Sequence, residues 1–361
     1  MKCPKCQNVN PETNKYCGRC GEGLVEDRSV SSGAKENPIQ RIAETVYTPF
    51  AMLAGMQLNL FTSLKNGPMS PEQIAGAIDV GSAKLKPLLY ALVSAGLLTV
   101  DGELFANTEA ANRFLVQGNP SCMVDSHELY SDLWSATLKT AESIRTGLPQ
   151  AKHDYSAMSE GDLLQFFRGE HPKAVAAGRD LATRFDFSPC RTLLDVGGGS
   201  GGLAIGVIET LPHIQATVVD LPTVTPITQR FINEAGAGDR VRVVAADIVH
   251  SPPPGSYDLA VLRSLIQVLS PDDARHTLRN IGKVMNPGGV IYIAGSGIID
   301  NSRISPPEKV GLNLVFINIY DEGQAYTEQE HRDWLAEAGF DGFERITLPG
   351  GGSIITARKL R

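Results

Sequence analysis

Leu193-Leu194-Asp195-Val196-Gly197-Gly198-Gly199-Ser200-Gly201-Gly202 is the stretch whose reading decides the fold. Two apolar residues lead into an acid, the acid into a glycine loop, and the loop into the helix-forming run Leu203 to Leu211. That order describes a strand, a tight turn and a helix N-terminus, which together make a nucleotide-sized pocket. Glycine is needed because a side chain in the turn would hold a ligand off the backbone. Gly197, Gly199 and Gly202 also satisfy the G-x-G-x-x-G spacing of dinucleotide sites, and a plain tight turn before a helix can carry glycines too.

Asp195 weighs against both alternatives. At close range a carboxylate repels a pyrophosphate and attracts a cation, so the reading shifts from NAD toward S-adenosylmethionine, whose methionine end carries an ammonium and a sulfonium. Further acids stand where a doubly wound sheet puts the carboxyl ends of its strands. Thr217-Val218-Val219-Asp220 reads as the second strand, ending in an acid able to accept ribose hydroxyls. Val241 to Ala245 reads as the third, followed by Asp247-Ile248, a carboxylate for an adenine amino group and an aliphatic side chain for its ring. Tyr257 to Leu262 is the fourth and Gly289 to Ala294 the fifth, with a terminal hairpin from Phe343 to Leu348 and Ser353 to Arg358.

With these motifs in place the chain resembles the small-molecule S-adenosylmethionine-dependent O-methyltransferases, a family that includes plant phenolic and acetylserotonin enzymes and bacterial relatives. The resemblance rests on the DVGGGSGG loop, VVDLP with Asp220, AADI with Asp247, VLRSLIQVLSPDDA around Arg263, NPGG at Asn286 to Gly289, and WLAEAGF from Trp334. It runs from about residue 38 to the C-terminus. It implies an α/β, Rossmann-like class I methyltransferase sheet with an antiparallel C-terminal hairpin, over residues 188–361. It also implies a cofactor site at Asp195, Gly197, Gly199, Asp220, Leu221, Asp247, Ile248 and Arg263. Arg263 would lay its stem along the adenine while its guanidinium meets an acid.

Upstream, Ile42, Val46, Phe50, Leu53 and Leu58 have helical spacing, Ser70-Pro71-Glu72 opens another helix, and Pro87 to Ala95 forms a third. Leu97 to Val100 and Leu104 to Ala106 around Asp101-Gly102 then predict a hairpin. Three helices and a wing over residues 39–120 describe a winged helix. Its candidate reading helix offers only Lys84 and Lys86, too little positive charge to position DNA phosphates. The resemblance makes this domain a dimerisation module instead, and so predicts a homodimer. Residues 121–187 are expected to be helical and to cover the substrate, with Tyr130, Trp134, Phe166 and Phe167 as candidate lining.

The N-terminus adds a module. Cys3-Pro4-Lys5-Cys6 and Cys17-Gly18-Arg19-Cys20 are two C-x-x-C knuckles, and four thiolates so spaced can close a tetrahedral structural zinc site. A ribbon of residues 1–28 is too short to bury a core, so the metal would supply its folding energy, and a protein partner is one role open to it. Ser29 to Pro38 reads as a polar linker. Cys122 and Cys190 are expected to be buried small hydrophobes.

Bulk properties agree. The 361 residues suggest two or three domains, and 42% hydrophobic residues supply real cores. A formal charge of −7 disfavours nucleic acid and anionic membranes as partners. No apolar run approaches the roughly 18 residues of a membrane span, and a cytoplasmic location is expected.

One departure matters for mechanism. In the plant-like relatives a histidine within a run resembling H-D-W-S-D takes the acceptor's proton, whereas this chain has Gln267-Val268-Leu269-Ser270-Pro271. Glutamine cannot accept that proton, and Gly295 and Ala325 stand where the family's orienting acids are expected. The preferred reading is an acceptor that needs little help, such as an acidic phenol, a thiol or an activated ring carbon, positioned by Gln267. A base could instead come from His127, Tyr130, Glu170 or His171. Further alternatives are a zinc-ribbon RNA methyltransferase, a cofactor-binding protein that transfers no methyl, and a winged-helix regulator.

Overall fold

The order of strands in the main sheet explains where a ligand can sit. The computed structural model describes Lys2, Cys3, Val9 and residues 37–119, 121–348 and 352–360, grouped in two compact units, Met1–His127 and Glu128–Arg361. Cys6, Cys17 and Cys20 lie outside the described residues, as does most of the expected ribbon and linker. Cys3 is buried, beside an antiparallel bridge between Lys2 and Val9.

In the first unit the predicted run from Ile39 to Leu64 breaks into three helices, Pro38–Glu44, Tyr47–Gln57 and Leu60–Ser63. Asn59 makes one break by taking a left-handed φ of 51°. Ser70 caps the helix Pro71–Ala77 through a capping box with Gln73, and Pro71 fills the first position, where its missing N–H costs nothing. The next helix runs Ser82–Ser94, so Pro87 lies inside it and does not start it. Strands β1 (Leu98–Asp101) and β2 (Leu104–Asn107) form the antiparallel hairpin. Phe61, Ile74, Leu89, Leu92 and Phe105 are fully buried at its core.

The second unit carries β3 (Thr192–Val196), β4 (Gln215–Asp220), β5 (Val241–Ala245), β6 (Tyr257–Arg263) and β7 (Met285–Gly295). The short strands β8 (Ile298–Ile299) and β9 (Tyr326–Thr327) pair apart from them. The chain closes with β10 (Phe340–Thr347) and β11 (Ser353–Lys359). The main sheet has the order β10-β11-β7-β6-β3-β4-β5, parallel from β7 to β5, with β11 antiparallel to β7. From β3 the chain winds outward through β4 and β5, then returns to the other side for β6 and β7. The crevice at the carboxyl end of β3 is therefore the topological switch point, where such sheets bind ligands. The predicted NPGG turn belongs to β7, as an irregularity between the Tyr257–Met285 and Leu259–Val290 pairings.

Leu193 and Leu194 alternate between two apolar cores on opposite faces of the sheet. On one face the helices Glu160–Arg184 and Gly202–Thr210 pack backbone to backbone. A Cβ on Gly178 would meet the Leu203 carbonyl oxygen, and one on Gly206 the Val175 carbonyl oxygen. Cys190 and Cys122 are half-buried, which corrects the expectation of full burial; Cys190 sits at the rim of a core.

Candidate active site

The glycine loop is held by the acids around it. Gly197, Gly199 and Gly201 all take positive φ, and Gly197 donates its N–H to the Val219 carbonyl at 2.8 Å. Asp220 closes the loop, because its carboxylate accepts from Gly199 N at 2.7 Å and from Leu221 N at 2.8 Å. Asp195 is 1% exposed; its Oδ2 accepts from Ala204 N at 3.2 Å, in the first turn of the following helix, and its Oδ1 is buried with no hydrogen-bond partner.

These acids and glycines border a cavity of about 520 Å³. All of Asp195, Gly197, Gly199, Asp220, Leu221, Asp247, Ile248, Arg263 and Gln267 line it, and so do Tyr130, Trp134, Phe166 and Phe167. Burial pushes the Asp195 carboxyl up to about 7, against the Ala204 amide, with the Asp220 charge raising it further. Burial likewise lifts Asp220 to about 6, although the Gly199 and Leu221 amides oppose it. Asp247 binds His250 Nδ1 at 2.9 Å. A buried carboxylate oxygen without a partner, beside a cradle that side chains would fill, suits a ligand that brings an ammonium.

Arg263, at the end of β6, reaches Glu170 at 3.1 Å, and Lys173 binds the same carboxylate at 3.0 Å. Burial acts against ionisation of Glu170, but the two cations outweigh it and hold the carboxyl below its usual range. Beyond Arg263 the chain turns at Ser264, a non-glycine residue with φ of 57°, into the single 3-10 turn Ile266–Val268 that carries Gln267. Gln267 packs on Gly297, where an added Cβ would meet its side chain, and its backbone carbonyl oxygen lies against Gly323.

The aromatic lining falls in two groups of touching rings. Tyr130 stacks on Trp134 at 5.7 Å, Phe166 meets Phe167 edge-on at 5.3 Å, and Tyr155 meets Phe166 at 5.5 Å. Three candidates for a base are placed elsewhere or committed. His127 and His171 do not line the cavity; His171 stacks on Phe231 and shares a hydrogen bond with Ser200. Glu170 is held by its two cations. Among the described residues no histidine lines the cavity.

Sequence reasoning missed Lys173, Tyr155 and Tyr320. Tyr155 and Tyr320 are 165 positions apart, yet their hydroxyls meet at 3.4 Å. Backbone bonds from Ala151 N to Asn318 O and from His153 N to Ile319 O bring the two segments together. Only the i, i+4 spacing of Phe316 and Tyr320, which stack at 5.8 Å, hinted that Tyr320 shares a face with an apolar neighbour.

Sheet order, glycine cradle and strand-end acids define an S-adenosylmethionine-dependent class I methyltransferase. The O-methyltransferase domain matches residues 141–341 and the O-methyltransferase dimerisation domain matches residues 40–117, so the chain belongs to the O-methyltransferase family. It is similar to the 3-hydroxy-5-methyl-1-naphthoate 3-O-methyltransferase of Streptomyces sahachiroi, 26% identical over 325 residues that cover 88% of this chain and 94% of that one. The L-tyrosine C(3)-methyltransferase of Streptomyces lavendulae is 25% identical over 314 residues, 82% of this chain and 85% of that one. Among solved structures, human N-acetylserotonin methyltransferase in complex with SAM superposes with a TM-score of 0.78 at 25% identity, covering 91% of this chain and all of that one. Among the described residues no helix is long and apolar enough to cross a membrane, and no group of three or more His, Cys, Asp or Glu is arranged to hold a metal.

Proposed function

We propose that this enzyme methylates an oxygen of a small molecule with an apolar, largely aromatic body, and that it works by positioning without a protein base. The observation that carries the reading is one cavity lined together by carboxylates, aromatic rings and Gln267. S-adenosylmethionine bound against the strand-end acids supplies a methyl group on a sulfonium. In this reading Asp195 meets the cofactor's ammonium, Asp220 its ribose, and Asp247 with Ile248 its adenine. Arg263, fixed by Glu170, lies alongside. Tyr130, Trp134, Phe166 and Phe167 hold the acceptor's rings, and Gln267 hydrogen-bonds near the reacting atom. Alignment of this kind can supply roughly 7 to 11 kcal/mol of a barrier.

Residues 39–120 would act as a winged-helix-like dimerisation module, so the working form is a homodimer. The exposed apolar row Ile39, Ile42, Val46, Tyr47 and Phe50 supports that assignment. Cys3, Cys6, Cys17 and Cys20 would hold a structural zinc, the spacing being the support.

Incubation with methyl-labelled cofactor tests the function. Label is expected in a small-molecule extract, in a product whose methyl sits on oxygen. Label confined to RNA, or cofactor binding with no transfer and a shift of DNA in a gel, would overturn the reading in favour of an RNA enzyme or a regulator.

A further inference from the structure

Tyr155 and Tyr320 both line the cavity, and their hydroxyls are each other's hydrogen-bond partner at 3.4 Å. Two phenols carry two protons, and one bond between them uses one. The second O–H has no acceptor among the described residues. Tyr320 and Gln267 both border Gly323, where an added Cβ would meet the Gln267 backbone carbonyl oxygen and the root of the Tyr320 side chain. An O–H donor thus belongs to the lining of the same cavity as Gln267, which stands where the resemblance expects a base.

The charged groups facing this end are of both signs, since the Glu170 charge acts on both hydroxyls and the Asp220 charge on Tyr155, each against a further anion. Glu170 is bound by both Lys173 and Arg263, so the triad carries one net positive charge, and the Lys173 ammonium also lies 4.9 Å from the Tyr130 ring centre. Asp195, Asp220 and Asp247 line the cavity as well; they engage backbone amides of the glycine loop and of the residues that follow each strand, or His250. Burial pushes the Tyr320 hydroxyl up to about 12, and burial with the Tyr320 neighbour raises Tyr155 well above its ordinary value, so both remain donors at neutral pH.

We infer that the acceptor binds as a preformed oxyanion, a phenolate or an enolate, with the Tyr155–Tyr320 pair donating to that oxygen. The inference rests on the methyltransferase reading above and narrows its substrate class to acidic phenols and enolisable dicarbonyls. The acceptor's proton leaves to solvent before transfer. An oxygen lone pair then forms the bond to the methyl carbon, the carbon–sulfur bond breaks with its electrons going to sulfur, and no proton moves in that step. Tyr320 is a substrate-contacting residue in this scheme, and Tyr155 orients it.

4-Nitrophenol is a suitable probe because its phenolate absorbs at longer wavelength than the phenol. Bound to enzyme saturated with S-adenosylhomocysteine, it should ionise at a pH at least one unit below its value in solution, a tenfold or greater bias of the kind a hydrogen bond to a charged group provides. Tyr320→Phe should remove most of that bias, and Tyr155→Phe part of it, with S-adenosylhomocysteine affinity unchanged by calorimetry. An ionisation midpoint equal to or above the solution value would overturn the inference. So would an unchanged midpoint in Tyr320→Phe, or absence of saturable probe binding by protein that holds S-adenosylhomocysteine normally. Failure to bind S-adenosylhomocysteine at all would instead bring down the cofactor-site reading beneath it.

Discussion

Lowering the pH should weaken cofactor binding through Asp195 before it disturbs anything else in the site. In the free protein burial holds this carboxyl near pKa 7, well above the usual carboxylate range. Ionising it in place costs on the order of 4 kcal/mol relative to solvent. The sign is opposite to that of a salt-bridged carboxylate. Between pH about 4 and 7 the folded protein holds a proton that the unfolded chain has lost, so this group makes the free fold more stable as pH falls through that window.

A ligand ammonium reverses the preference, because it binds only the ionised form productively. The association constant for S-adenosylhomocysteine should therefore be flat above pH about 7 and fall about tenfold per unit below it. Asp220, raised to about 6, steepens the fall further down. Asp195→Asn keeps an oxygen for the Ala204 amide and removes the Asp195 titration, so its affinity should be low and, apart from the onset of the Asp220 titration near pH about 6, level from pH about 6 to 8. Calorimetry across that range decides the matter. A wild-type affinity that does not change over the range, or a wild-type slope in the Asp195→Asn variant, would refute the assignment of Asp195 to the cofactor's cation.

Asp220→Ala removes the bonds to Gly199 and Leu221 together, and S-adenosylhomocysteine affinity should drop sharply by calorimetry; an unchanged value would refute the ribose assignment. Gln267→Ala should slow turnover by roughly ten- to a hundredfold, the worth of a hydrogen bond to a charged group, with cofactor affinity unchanged; a wild-type rate would remove Gln267 from the site. Gly206→Val puts a side chain into the Val175 carbonyl and should lower thermal stability by about 2 kcal/mol or more, read as a fall in Tm; an unaltered Tm would contradict the close helix crossing. Elemental analysis should find one zinc per chain, lost in Cys3→Ser, while a chain free of zinc would end the ribbon reading.

Local signals in the sequence carry the sheet. A strand that ends in an acid and a glycine loop needs only neighbours to be read, and the loop at Asp195 and the strands ending near Asp220 and Asp247 are of that kind. The capping box at Ser70 is equally local. Elsewhere the decisive partner is distant in the chain. Pro87 reads as a helix start because nothing nearby shows that Ser82 to Lys86 already supply the preceding turn. Tyr155 and Tyr320 become a pair only because residues 151–153 run along the end of the helix Asn313–Ile319. The Glu170–Arg263 contact joins residues 93 positions apart, and Glu170 in isolation reads as a surface acid or a candidate base.

In the proposed reading, glutamine at 267 in place of the histidine that the resemblance expects changes the chemistry less than it first suggests. General base catalysis typically contributes 10²- to 10⁴-fold, whereas holding two reactants in line is worth roughly 7 to 11 kcal/mol, a larger factor. A protein that keeps the alignment and gives up the base loses the smaller term, and only for acceptors that arrive protonated. A phenol ionised at working pH needs no base at all, and for it a histidine would serve no purpose. What such an acceptor needs is a site that does not reprotonate it, built from donors that stay donors. Gln267, a tyrosine pair with raised hydroxyls and a carboxylate already claimed by Arg263 and Lys173 meet that need. By the same reasoning, Gln267→His alone should not broaden the range of acceptors toward less acidic phenols, because Gly295 and Ala325 provide no carboxylate to orient and charge-balance the new imidazole. Rates across phenols of graded acidity would show it: a variant that gains selectively on the weakest acids would mean that base assistance, and not ionisation of the acceptor, limits this enzyme.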